Sequence, residues 1–318
     1  MPPFTPRRFL FVTGKGGVGK TTVTAALARS LSSRGLKVLV AVCGVKERVS
    51  TLLGARALGT TIAELQPNIW GVALVPEVAL REYGTLKLKN RTLVDAIFDS
   101  KYVSGFLSGT PGLREWSLLG KAWYHSTETD ASGRPRFDVV LFDAPATGHG
   151  LDMLRVPQVI VDIAPVGVLR NDAERALEMF RDPAQSGVVV ISLPEAMPTN
   201  ETVELCAALQ SELSLPIAEL IVNGLVPQLF SAEERAVLRP LTDLEASSDA
   251  LMVLASGVRR AAREAIQESS VQRLAALGIP LRNLPLLLDG AATAAAVALL
   301  ARHFEGEGVL GSSVQTRV

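Results

Sequence analysis

Cysteine, histidine and aromatic residues are scarce in this 318-residue chain, which has two Cys, three His and only 5% Phe, Trp and Tyr together. Cys43 and Cys206 stand far apart and form no Cys-x-x-Cys pair, which excludes a cysteine-built zinc or iron–sulfur site within one chain. Both read as small buried hydrophobes. His125, His149 and His303 show no metal-ligand spacing. An excess of one charge is lacking too: 32 basic residues balance 32 acidic ones, so no global field recruits nucleic acid or anionic lipid. Although 48% of residues are hydrophobic, no uninterrupted apolar stretch reaches the length of a membrane span. The N-terminal "MPPFTPRRFLFV" runs straight into an apolar strand, with neither a long apolar segment nor a cleavage site. The expectation is a soluble cytoplasmic protein with no nucleic-acid partner and no direct membrane anchor.

What is present is alternation. Apolar runs rich in β-branched residues recur at 8–12, 37–42, 70–75, 137–143, 187–193 and 217–223, separated by helical patterns. Strands alternating with helices predict an α/β fold, a doubly wound, mostly parallel sheet covered on both faces. The alternation stops between 76 and 135, where helices broken at Gly105, Gly109 and Pro111 predict an inserted helical subdomain. A second helical region spans 231–277, rich in Ala, Leu, Glu and Arg. Together these predict a single domain over 1–304, followed by a flexible tail at 305–318 that has glycine, serine and no periodicity.

The most chemical stretch is "VTGKGGVGKTT" at 12–22, which joins the strand at 8–12 to a helix whose Val23, Leu27 and Leu31 share one face. Gly14 and Gly19, separated by four residues and followed by Lys20-Thr21, fit a phosphate-binding loop. Glycines let backbone N–H groups approach phosphate oxygens, and the helix N-terminus adds its positive dipole end. Lys20 supplies a mobile charge, and the Thr21 hydroxyl is placed for Mg²⁺. The expected nucleotide contacts are Gly14, Gly16, Gly17, Val18, Gly19, Lys20, Thr21 and Thr22. Farther on, "FDVVLFDAPATGHGLDML" ends its apolar strand on Asp143, where a doubly wound nucleotide fold puts the carboxylate of the Mg²⁺ shell. Alone, Asp143 reads better as a helix cap or a turn former; beside a phosphate loop it does not.

With these residues in view, the chain resembles the ArsA family of arsenical-pump and tail-anchored-protein-targeting ATPases, within the class of dimeric P-loop ATPases that includes MinD and ParA proteins. "GKGGVGKTT" is similar to their deviant Walker A loop, "DAPATGHGLDMLR" to their second switch, and "PEAMPTNET" and "IVNGLVP" to segments after later strands. The resemblance implies Mg-ATP at a dimer interface, with Thr21 and Asp143 on the metal. It also implies that Lys15 reaches the nucleotide of the opposite subunit, acting like an arginine finger. Asn223 and the segment from Pro285 and Leu286 to Leu288 match positions that flank adenine, although an asparagine ending a strand can equally be a turn former.

The chain departs from that family in its first switch. Where a water-orienting aspartate is expected, "KVLVAVCGVKERVSTLLG" puts Gly44, and Glu47 three residues on is expected to face solvent. The Cys-x-x-Cys of the targeting ATPases, their long hydrophobic insertion and the arsenite-binding cysteines also have no counterpart. The resulting expectation is a switch ATPase with slow hydrolysis, as a homodimer or beside a related subunit that supplies the aspartate, acting on an unidentified client protein. The alternatives are a scaffold that binds ATP without hydrolysis and a MinD-like or ParA-like positioning ATPase; against the latter, the tail is neither basic nor amphipathic.

Overall fold

The computed structural model describes residues 4–44, 47–88, 90, 92, 100, 112–145, 149–241, 248–287, 290 and 292–306. Among them one eight-stranded sheet forms from β1 (Phe9–Gly14), β2 (Val38–Cys43), β3 (Ala63–Gln66), β4 (Ile69–Leu74), β5 (Val139–Asp143), β6 (Ser186–Ser192), β7 (Ile217–Leu225) and β8 (Leu281–Pro285). Their spatial order is β3-β4-β2-β5-β1-β6-β7-β8. Every pairing is parallel except β3 with β4. β1 and β6 are buried at every residue, which is why both are continuous apolar runs without alternation.

The sheet carries helices on both faces, as the alternation predicts. Against one face pack α1 (Lys20–Ser33) and α10 (Ala294–Arg302), with the short α2 (Val49–Leu52) beside them. Against the other pack α4 (Leu113–Thr127), α5 (His149–Ile163), α6 (Val168–Arg181) and α7 (Ala196–Ser211). Consecutive connections leave β1 in opposite senses, toward β2 on one side and from β5 back to β6 on the other. The carboxyl end of β1 is therefore the topological switch point, where such folds open a crevice.

The predicted helical insertion contains α3 (Pro76–Leu88) and α4, while most of 89–111 lies outside the described residues. Trp116, Leu119 and Trp123 of α4 belong to the core against the sheet, and α3 packs on α4. The region 231–277 forms α8 (Ala232–Leu238), a short 3-10 turn and the 27-residue α9 (Asp249–Ala275). Of the predicted tail, 307–318 falls outside the described residues.

Sequence reading missed two strands. β3 is a short, largely exposed antiparallel edge with no alternating pattern. β8 reads "LRNLP", and its Arg282 argues against a buried strand. Arg282 is nevertheless only 2% exposed, because Glu219 on β7 takes its Nη2 at 2.6 Å while His303 O accepts from Nη1. Its guanidinium also lies 5.2 Å from the centroid of the Phe304 ring. Burial pushes the Glu219 carboxyl up, with Arg282 and Arg7 opposing. The pair thus ties the β7–β8 edge to the end of α10. Removing one partner of a buried pair strands the other charge, at a cost of about 3–5 kcal/mol. Arg282→Met is accordingly expected to lower the unfolding free energy in urea by about that amount, and Glu219→Leu added to it should restore most of the loss. Equal stability of the single and double variants would contradict this account.

Candidate functional site

The loop between β1 and α1 is shaped by two glycines that nothing else can replace. Gly14 has φ +146°, and a Cβ there would lie 2.2 Å from the Ile191 carbonyl oxygen on β6. Gly19, the residue before α1, has φ +92°, and a Cβ there would fall 2.5 Å from Asn223 Nδ2. No side chain caps the start of α1, so its first amides and dipole end face the loop. Lys20 is buried, and its ammonium donates to Gly14 O at 2.9 Å and Lys15 O at 2.8 Å. Burial pulls its pKa down, and the charge of Asp143 works against that shift.

Asp143 ends β5 beside Val12 on β1 and Val42 on β2. Thr21 Oγ1 donates to its Oδ2 at 2.8 Å, and Thr24 Oγ1 lies 3.3 Å from its Oδ1 while also reaching Lys20 O at 2.9 Å. Burial raises the carboxyl to about 6, although both threonine hydroxyls and Lys20 favour the charged form. Thr24 was missed in sequence, although its spacing of three from Thr21 puts the two on one helix face. Among the described residues, no group of three or more His, Cys, Asp and Glu could hold a metal. The donor set of Thr21 hydroxyl and Asp143 carboxylate does suit a hard cation that brings its remaining oxygens on phosphate and water. The Mg²⁺ expected from the resemblance fits these residues.

Lys15 points along the same cleft, where its ammonium is ion-paired with Glu201 of α7. The cleft has a volume of about 650 Å³, between Thr13, Gly14, Lys15 and Gly16 of the loop, Gly150 and Leu151 of α5, and Glu201, Thr202, Glu204, Leu205, Ala208 and Glu212 on and just past α7. Glu201 lies inside the quoted stretch "PEAMPTNET", yet no local signal links it to a lysine 186 residues away. The second switch is described only in part, since 146–148 lie outside the described residues. A Cβ at Gly150 would come 2.7 Å from Thr13 Oγ1, so the start of α5 packs tightly on the end of β1.

At the end of β2, Gly44 has φ +94° with nothing within 4 Å of a notional Cβ. Its amide donates to Leu74 O at 2.9 Å. Glu47 does not face solvent as expected. It is half-buried, accepting from the Ser50 amide at 2.9 Å, the Ser50 hydroxyl at 2.5 Å and the Leu58 amide at 3.1 Å. Its carboxylate is committed to holding the start of α2. Cys206 is buried as expected, but Cys43 is only partly so, because β2 ends there. Burial and the nearby Asp143 push the Cys43 thiol pKa up.

Asn223 sits on β7 at the loop's other flank, and its Nδ2 donates to Val18 O at 2.9 Å. Leu286 follows β8, with its amide on Leu225 O at 2.7 Å and its side chain 36% exposed. Pro285 pairs with Leu225 in the ladder. Asn223, Gly224, Pro285 and Leu286 thereby form one rim beside Gly19, whereas Leu288 lies outside the described residues.

The chain is similar to known proteins across most of its length. It is 28% identical over 303 residues to ATPase BagA of Mycobacterium tuberculosis, covering 89% of this chain and 88% of that protein. It is 26% identical over 269 residues to the arsenical pump-driving ATPase of Acidiphilium multivorum, and 25% identical over 242 residues to that of Escherichia coli. These matches cover 79% and 71% of this chain but only 44% and 41% of the pump proteins, so the chain spans less than half of their length. The profile of the anion-transporting ATPase (ArsA ATPase) family matches residues 7–165, half of the chain, from the first strand through Asp143 to the end of α5. The chain belongs to the ArsA ATPase family.

Proposed function

We propose that this protein binds ATP with Mg²⁺ on the loop at 14–22 and works as a nucleotide-dependent switch that closes as a dimer and hydrolyses slowly. The observation that carries this reading is the joint of Thr21, Asp143 and Lys20 at the topological switch point. The backbone of Gly14, Gly16, Gly17, Val18 and Gly19, with the start of α1 at Lys20, Thr21 and Thr22, cradles the phosphates. Lys20 exchanges its two carbonyl partners for phosphate oxygens, trading neutral acceptors for charge-assisted ones. Thr21 and Asp143 would hold Mg²⁺, whose charge would offset that of the phosphates. Asn223, Pro285 and Leu286 flank the base.

Lys15 serves the opposite subunit. Its pairing with Glu201 is partly exposed, and such pairs are worth only about 0–1 kcal/mol, so releasing the lysine for a partner's nucleotide costs little. Hydrolysis is slow because Gly44 carries no carboxylate to aim water, and the nearest acidic residue along the chain, Glu47, is occupied by Ser50 and Leu58. The same observation favours a second reading, a subunit that hydrolyses only beside a related ATPase or serves as a non-hydrolysing scaffold. The relatives named as pump-driving do not define the client here, since no cysteine set for arsenite is present.

Lys20→Ala is expected to weaken Mg-ATP binding by about 10- to 100-fold, because hydrogen bonds to charged groups contribute about 1.5–3 kcal/mol each. Calorimetry on the folded variant checks this, and unchanged affinity would remove the loop as the site. Gly44→Asp places a side chain at φ +94°, a strain of about 1–3 kcal/mol that Asp tolerates better than most residues. It should still raise phosphate release by about tenfold or more through water positioning, and Asp143→Ala in the same chain should erase the gain. Brisk turnover by the unmodified protein would sink the slow-hydrolysis reading. Lys15→Ala should reduce ATP-dependent association, followed by light scattering, far more than it reduces nucleotide binding; equal association by both proteins would argue against a role in trans.

A further inference from the structure

A second cavity lies away from the loop, enclosed by α3, α4 and α6, with a volume of about 350 Å³. That is within the range of about 300–1,000 Å³ typical of small-molecule sites. Its wall is mainly apolar, built from Ala79, Leu80, Leu113, Trp116 and Leu169, with Leu86 exposed at one side. Gly120 lies against Trp116, and a Cβ there would come 3.2 Å from the indole, so the glycine leaves the ring room for its place in the wall.

The polar groups around this space are not random in charge. Lys87 Nζ and the Tyr83 hydroxyl both donate to Asp172 Oδ2, at 2.7 and 2.9 Å. Lys121 pairs with Glu82 at 2.6 Å, and His125 Nδ1 with Glu128 at 2.7 Å. Each anion of the lining is thereby matched, which leaves Arg175 as the surplus. It is exposed and makes no ion pair among the described residues. Arg175 stands on the part of α6 that meets α4, since one turn farther along Ser126 Oγ lies 3.6 Å from Met179 Sδ.

We propose that this cavity binds a single-chain amphiphile carrying a carboxylate, its apolar chain against Trp116, Leu80 and Leu169 and its head group at Arg175. A carboxylate supplies the negative charge that Arg175 lacks among the described residues, and arginine meets carboxylates with paired N–H donors. An uncharged chain of the same length would satisfy only the apolar wall. The site is separate from the phosphate loop, since its lining shares no residue with the cleft beside that loop.

Decanoate and decanol are the probes, read by tryptophan fluorescence in the full chain carrying Trp70→Phe, so that Trp116 and Trp123 report alone. Decanoate should give a saturable change below its micelle concentration, at least tenfold tighter than decanol. Ala79→Phe, which fills the cavity from α3, should weaken decanoate at least tenfold. Arg175→Glu, an exposed change that leaves the core intact, should weaken decanoate at least tenfold while decanol stays within twofold. No saturable change with the folded parent protein would overturn the site. Decanol binding as tightly as decanoate, or Arg175→Glu leaving decanoate unaffected, would overturn the assigned chemistry.

Discussion

A buried carboxylate surrounded by too few positive charges governs the active end of this molecule. Asp143 ends β5 between β1 and β2 and is buried there. Two threonine hydroxyls and the nearby Lys20 compensate in part, and the carboxyl stays raised to about 6. The same hydroxyls tie it to the first turn of α1, which makes the loop, the helix and β5 one mechanical unit. A cation on Thr21 and Asp143 would complete what the protein leaves undone, which is the physical ground for reading this end as a Mg-nucleotide site.

The charges around that unit are already occupied within the chain. Lys20 holds loop carbonyls, Lys15 holds Glu201, and Glu47 holds Ser50 and Leu58. Binding a polyanion here is then an exchange of partners, and the costs differ by burial. The partly exposed Lys15–Glu201 pair gives way readily, whereas Glu47 makes three contacts that organise α2. This difference in cost separates a group able to change partners from one committed to the fold.

Away from the loop, the chain keeps ionic groups inside only where a partner is supplied across the structure. Arg282 and Glu219 do this between neighbouring strands, and Asp172 does it with Tyr83 and Lys87 between α6 and α3. Arg175 on the exposed side of α6 makes no ion pair among the described residues, and it borders the cavity between α3, α4 and α6.

By itself the sequence determined the phosphate-loop pattern, the helix that follows it, six of the eight strands and the placement of Asp143 at a strand end. Those features are written in periodicity and in residue types a few positions apart, because glycine conformations, helix starts and buried strands obey short-range rules. Only the tertiary structure decided that Lys15 meets Glu201, that Glu47 turns to Ser50 rather than to water, and that Arg282 can stand in a strand. It alone set Thr24 beside Asp143 and Asn223 against Val18, and closed a cavity between α3, α4 and α6. These contacts join residues brought together by strand order and helix packing, and no local pattern encodes which distant side chain will fill the space opposite.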